Sequence, residues 1–415
     1  MNIYAIIILA TLAIGYILDL IADYLNIKNL RTDLPEEFRD VYSREKYERS
    51  QEYLKENTLF GIISSTFSLI VLLIFWFSGG FNWLDLILRG LIENNIYRGI
   101  AYLGILIIAN SILSIPFSIY RTFVIEEKYG FNKTTPKTFI FDILKGLALA
   151  IVLGLPLLAG LLYILQNFGD VAWLYGWGTV VLFTFIIQFI APRWIMPLFN
   201  KFEPLKEGEL RDAIFDYADR IGFSLKNIFV MDGSKRSSKS NAFFTGFGKN
   251  KRIALFDTLI DNHTTGELVS ILAHEIGHYK KKHIIQGMII SIIHTGILFF
   301  LLSLFLTQEG LYEAFYVENM SVYTGLIFFG MLYSPIEMIL SLFMNALSRK
   351  NEYEADEFAA KTIEDPKDMI NALKKLSEHN LSNLTPHHFY VAVNYSHPPV
   401  LERIKRIRKI DKNHG

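Results

Sequence analysis

The chain has 415 residues, no cysteine, and 41 basic side chains balanced by 41 acidic ones. Disulfides, thiol chemistry and cysteine metal ligands are therefore excluded, and no net charge draws the molecule towards a polyanion. Hydrophobic residues make up 51% and aromatics 14%, with a mean hydropathy of +0.29, too apolar a balance for an ordinary water-soluble domain.

Apolar runs of the length needed to cross a bilayer, about 20 residues, recur along the chain. They fall at Ile3–Leu20, Thr58–Phe77, Ile100–Ile119, Thr138–Gln166, Val171–Ile190, Ile284–Leu306 and Val322–Leu347, which predicts seven spans. A shorter segment, Phe81–Ile92, suits a helix lying in the interface. The first run has no basic residue before it and no prompt small-residue cleavage site after it, so it is expected to be retained. Basic residues alternate across the intervening segments. Lys28, Arg31, Arg39, Arg44, Lys46, Arg49 and Lys55 follow the first run and Arg121, Lys128, Lys133 and Lys137 the third, whereas 167–170 and 308–321 carry none. The positive-inside rule then predicts an outside N-terminus and a cytoplasmic C-terminus, which an odd number of spans requires. The basic tail Lys405, Arg406, Arg408 and Lys409 fits the same bias better than nucleic-acid binding, for which there is no motif.

Two segments outside the spans are long enough to fold, 192–283 and 348–415. In the first, Glu207–Ile221 has helical periodicity, and Ile228–Met231 and Ile253–Phe256 are short β-type runs. Neither looks large enough for a generous core, so the two are expected to pack together beneath the membrane.

His274-Glu275-Ile276-Gly277-His278 reads as a zinc-protease site. Residues four apart on a helix share a face, so His274 and His278 can offer imidazole nitrogens to one metal, with Glu275 placed to take a proton from water. Leu268, Val269, Ile271 and Leu272 are apolar, and Asp261, Asn262, Thr264 and Thr265 are capping candidates. A catalytic zinc site usually takes a third protein ligand. The candidate stretch is Asn351–Asp356: on a helix Glu352 and Asp356 share a face, while Glu354 points away by about 200°. Glu352 as a ligand with Asp356 orienting a histidine fits metal-site habit; an acidic, solvated helix face fits the sequence equally. His283, five residues past His278, leaves the shared face and is expected at the surface beside the membrane. His263, His294, His387 and His388 receive no role. Glu337, ionisable inside the last apolar run, is expected to face an internal cavity, and Asp142 and Lys145 to form a salt bridge.

Several stretches carry a resemblance: Glu126–Pro136 (EEKYGFNKTTP), Met231–Gly246 (MDGSKRSSKSNAFFTG), His274–His283 (HEIGHYKKKH), Ser348–Phe358 (SRKNEYEADEF) and Tyr395–Arg403 (YSHPPVLER). In this order they resemble the type I CAAX prenyl protease family, seven-span membrane zinc metalloproteases. The resemblance implies that Glu352 is the third zinc ligand with Asp356 its companion, that Asn241 helps hold an extended substrate, and that His397 and Arg403 lie at the active site. It also implies a water-filled chamber among the membrane helices. Lys239 stands where the family often has histidine, Phe243 where it has tyrosine, and Asn351 where an aromatic precedes the ligand glutamate; these departures bear on substrate preference rather than on catalysis.

The expected architecture is thus mainly α: a seven-transmembrane helical protein with a cytoplasmic-side zinc metalloprotease domain containing a small β element. Residues 1–191 hold spans one to five and 284–347 spans six and seven; 192–283 and 348–415 are the two parts of the protease domain. The expected reaction is endoproteolysis with one zinc ion on His274, His278 and Glu352, Glu275 as base, and His397 or Arg403 stabilising the oxyanion. A strand around Asn241–Thr245, with Asn241 and Phe243, would grip a peptide or protein substrate by main-chain pairing. The partners expected are that substrate, prenylated or membrane-associated, and the lipid bilayer. A site-2-type intramembrane protease is disfavoured because Lys280, Lys281 and Lys282 follow the motif at once; a scaffold or transporter would leave the ligand set unexplained. The C-terminus Asp411–Gly415 is neither a retention tag nor a lipidation box. The short, cysteine-free chain favours a bacterial cytoplasmic membrane and a quality-control role, with the endoplasmic reticulum membrane as the place expected in a eukaryote.

Overall fold

The computed structural model describes residues 1–245 and 252–412. Gly246, the last residue of one stretch quoted above, and Asn413–Gly415 lie outside the described residues. Helices α1 (Ile3–Lys28) and α2 (Arg44–Phe77) are followed by α3 (Gly80–Leu91) and α4 (Asn95–Tyr120). Next come α5 (Pro136–Leu149), α6 (Leu155–Asn167), α7 (Ala172–Ile190) and α8 (Met196–Phe199). A mixed segment follows: β1 (Phe202–Pro204), α9 (Glu209–Arg220), β2 (Asn227–Met231), β3 (Ala242–Thr245), β4 (Arg252–Phe256), α10 (Asp257–Asn262) and α11 (Thr265–Lys280). Then α12 (His283–Phe305), α13 (Glu309–Glu313), α14 (Val322–Thr362), α15 (Pro366–His379), α16 (His388–Asn394) and α17 (Val400–Lys412) complete the chain.

Among the described residues seven helices are long and apolar enough to cross a membrane, one over each apolar run. The fourth and fifth are each continuous through a π-helical turn, at Ala150–Gly154 and Ala191–Ile195. Pro156 and Pro197 account for these turns: a proline has no N–H to give and crowds the carbonyl four residues back, here Val152 and Arg193. Side chains start the helices as well. Ser43 accepts from Lys46 N–H, Asn94 from Ile96 and Tyr97, and Thr135 from Thr138 just ahead of Pro136. Helix α3 buries Phe81, Leu84 and Leu88 on one face, as its place beside the bundle requires.

Two cores result. One lies between α1, α2, α3, α4 and the first half of α14, around Trp76, Tyr102, Phe315 and Phe328. The other is built from distant segments: Phe38 from between α1 and α2, Tyr47 from the first turn of α2, Ile214 of α9, Ile253 and Leu255 of β4, Leu272 and Ile276 of α11, Ala359 of α14, and Ile404 and Ile407 of α17. The basic C-terminal stretch is therefore a packed amphipathic helix rather than a free tail, and Arg408 pairs with Glu37 at 2.7 Å. The sheet order is β1-β2-β4-β3, with β2 and β4 parallel and both outer strands antiparallel. β3 is thus an edge strand, and among the described residues its far side pairs with nothing.

Candidate metal centre

Helix α11 begins with a capping box: Thr264 accepts from Glu267 N–H, and the Glu267 carboxylate accepts from Thr264 N–H at 2.9 Å. Such a cap contributes about 1 kcal/mol. Leu268, Leu272 and Ile276 lock one face of the helix into the core, which leaves His274, Glu275 and His278 along another side. Gly277 lets α11 lie directly on α14. A Cβ there would stand 3.0 Å from the Ala355 carbonyl oxygen and 3.1 Å from its Cα, so a side chain would push the two helices apart. That close approach brings Glu352 to the histidines.

Nε2 of His274 and Nε2 of His278 are 3.2 Å apart. The Glu352 carboxylate lies 3.3 Å from the first through Oε2 and 3.2 Å from the second through Oε1. All three ligand atoms fall within 4.8 Å of one another. Oε2 of Glu352 is fully buried, and its approach to His274 does not meet hydrogen-bond geometry, so no partner satisfies it. A buried carboxylate oxygen left unsatisfied is costly; two imidazoles and a carboxylate converging on one point are the donor set of a divalent metal, and these residues fit one.

Asp356, also buried, accepts from Nδ1 of His274 at 2.9 Å. Arg403 grips Asp356 with both arms, Nε at 2.8 Å and Nη2 at 2.6 Å, and its Nη1 is 3.7 Å from Glu352. Burial opposes the protonated ring of His274, but the adjoining carboxylates of Asp356 and Glu352 outweigh burial and raise its pKa to about 9. Burial pushes the Glu275 carboxyl up, against the pull of both histidines. Burial likewise opposes the charge on Arg403, and Asp356 more than offsets it.

A cavity of about 180 Å³ opens beside these groups, with Asn241, Glu275, His397 and Arg403 on its polar side. Leu259, Ile271, Met369 and Leu373 form its apolar floor. The side chain of His397 is 65% exposed, yet its Nε2 reaches within 3.3 Å of Glu352. Phe243 does not line the cavity: its ring meets Phe256 edge-on, while Phe244 points into the core against Phe223 and Tyr279.

Four expectations need correcting. His283 is buried, not at the surface: α11 stops at Lys280, Lys282 adopts φ 62°, and the chain folds His283 back onto His278. Asp142 pairs with Arg236 at 2.7 Å rather than with Lys145, whose ammonium donates to the Leu198 carbonyl. Lys239 is a strut, donating to Glu126 at 2.9 Å and to Tyr53 at 2.7 Å and lying over the Phe131 ring. His387 is no idle loop residue: its Nδ1 caps α16, accepting from Phe389 N–H at 3.2 Å. Glu337 and His294 meet at 3.1 Å between α14 and α12, a pairing that a scan for motifs has no means to find.

Known proteins are similar to this chain in sequence and fold. A family model described as CAAX prenyl protease N-terminal, five membrane helices, matches residues 23–201, and Peptidase family M48 matches 204–411. CAAX prenyl protease 1 homolog of Oryza sativa subsp. japonica is 39% identical over 402 residues, covering 94% of both chains. Its Homo sapiens counterpart is 32% identical, over 92% of this chain and 90% of its own. The crystal structure of S. mikatae Ste24p is similar with a TM-score of 0.92 and 33% identity, over 98% of this chain and 99% of that one. Neither a scaffold nor a site-2-type enzyme accounts for matches of this extent. The chain belongs to peptidase family M48, as an integral-membrane metalloprotease of the CAAX prenyl protease 1 type.

Proposed function

We propose that His274, His278 and Glu352 hold one zinc ion, that Glu275 is the general base, and that the substrate is a prenylated protein cut near its C-terminus. The observation that carries the metal assignment is the buried Glu352 carboxylate, which turns its unsatisfied Oε2 to the His274 imidazole and its Oε1 to that of His278. Two nitrogens and one carboxylate oxygen are the set that zinc takes in hydrolases while keeping a position open. Zinc bound there supplies Lewis acidity, lowering the pKa of a water to about 7 and polarising the scissile carbonyl. Glu275, its proton affinity raised by burial, takes the proton from the attacking water and returns it to the leaving amine. Between the two oxyanion candidates we choose His397. Arg403 is committed to Asp356 through two hydrogen bonds, whereas His397 is exposed at the cavity mouth and can turn its N–H to the developing charge. Arg403 holds Asp356, which holds His274.

The free edge of β3 suits an extended peptide added as a further strand, with Asn241 at its cavity end and Phe243 along it. The apolar floor suits an aliphatic side chain next to the scissile bond. Residues 192–283 and 348–415 act as one protease domain, a reading supported by the core they share. The alternation of basic segments supports an outside N-terminus and a cytoplasmic site. Prenylated substrates draw support from the names of the relatives from rice and human, both eukaryotes. The bacterial membrane favoured by chain length and composition draws none. The test compares a farnesylated CAAX peptide with its unprenylated twin in detergent with zinc. Cleavage at least tenfold faster for the farnesylated peptide is expected; equal rates would defeat prenyl specificity and leave a general membrane metalloprotease.

A further inference from the structure

His274 has an evident anchor in Asp356, but His278 faces no carboxylate through its second nitrogen. Nδ1 of His278 instead lies 3.1 Å from Nδ1 of His283. Nε2 of His283 in turn lies 3.2 Å from Oε2 of Glu354. The two rings are set edge to face, with centroids 5.2 Å apart and planes at 72°.

The direction of this chain follows from its far end. The ionised carboxylate of Glu354 only accepts, so His283 must carry its proton on Nε2 and donate it there. A neutral His283 then presents a bare Nδ1, which can only accept, and so His278 must carry its proton on Nδ1. That leaves the lone pair of His278 on Nε2, the atom 3.2 Å from Glu352 and aimed at the metal position. We propose that His283 and Glu354 are positioning residues that fix the tautomer and the ring orientation of His278 for metal binding. The proposal rests on the reading of the site as a metal centre.

The two ligands are thus anchored from the same helix by different routes. Asp356 takes His274 directly, one turn along α14 from Glu352. Glu354 points to the other side of α14, as the helical period demands, and reaches His278 only through an inserted ring. The backbone supplies that ring: Lys281 N–H bonds to Gly277 and Lys282 N–H to Tyr279, closing α11, and the left-handed turn at Lys282 starts α12 with His283 against the helix just ended. An anchor of this kind commonly sets metal affinity by a factor of about 10–100.

The test measures zinc affinity by chelator competition on the purified full-length protein in detergent. Wild type, His278→Ala, His283→Leu and His283→Gln are compared, each with the melting temperature of its metal-free form. His278→Ala is expected to lose zinc. His283→Leu is expected to bind zinc about 10–100-fold more weakly with an unchanged metal-free melting temperature. His283→Gln should recover most of that loss, since its amide offers an oxygen to His278 and an N–H to Glu354. Zinc binding by His283→Leu as tight as wild type would overturn the proposal. So would equal loss in the Leu and Gln variants together with lower metal-free stability, the mark of a packing role alone. Zinc retained by His278→Ala would defeat the metal-site reading itself and this proposal with it.

Discussion

Where α2 and α3 meet the turn after α13, Trp76 stacks on Phe315 at 4.4 Å and Phe315 on Phe328 at 4.0 Å. About 36 Å further along α14, at 1.5 Å per residue, the buried side chains are instead Glu352 and Asp356, with His274 and Arg403 against them. The aromatic end gains from burial, with about 0.5–1.5 kcal/mol more for each well-placed ring pair. At the metal end desolvation cancels much of what the Arg403–Asp356 pair gains, and Glu352 keeps an oxygen unsatisfied. One helix therefore joins a region that holds the protein together to a region organised for chemistry at some cost in stability.

Substitutions can break this contrast, and the largest expected effect is chemical. Glu275→Gln should keep one zinc per chain and the wild-type melting temperature while lowering kcat/KM by about 10²–10⁴-fold; a peptide-cleavage assay showing full activity would remove Glu275 from the mechanism. Next come two changes of similar size on stability but opposite consequence for the metal. Phe328→Ala should cost about 3–5 kcal/mol in unfolding experiments with zinc binding intact. Arg403→Met should also cost about 3–5 kcal/mol, because it removes the guanidinium that balances the buried Asp356 charge, but here zinc affinity should fall as well. If Phe328→Ala weakened zinc as strongly as Arg403→Met, the two ends would not be separable. The smallest effect is expected from Lys239→Met, which removes a partly exposed ion pair with Glu126 and should change stability by about 1 kcal/mol or less. A large loss of cleavage in that variant would return Lys239 to the substrate path.

The membrane helices and the zinc motif were legible because their signals are local: apolar length for the spans, a four-residue spacing for His274 and His278. The helical period also paired Glu352 with Asp356, but only proximity to α11 separates that pair from a solvated acidic face. His283 was misplaced because the period was carried past Lys280, and nothing in Lys280-Lys281-Lys282 announces a left-handed residue. The reach of Phe38 into the catalytic core was invisible, since a segment without periodicity gives no sign of what it packs against. Arg236 with Asp142 and Glu337 with His294 are pairs of distant residues, and charge spacing along the chain has no access to them.

Two imidazoles and one carboxylate sharing a zinc ion are what the proposed chemistry requires, and X-ray absorption at the zinc edge of the purified protein tests this directly. Two histidine nitrogens and at least one carboxylate oxygen at about 2.0–2.2 Å are expected, with the zinc signal lost in Glu352→Ala. Zinc retained with an unaltered spectrum in Glu352→Ala would contradict it.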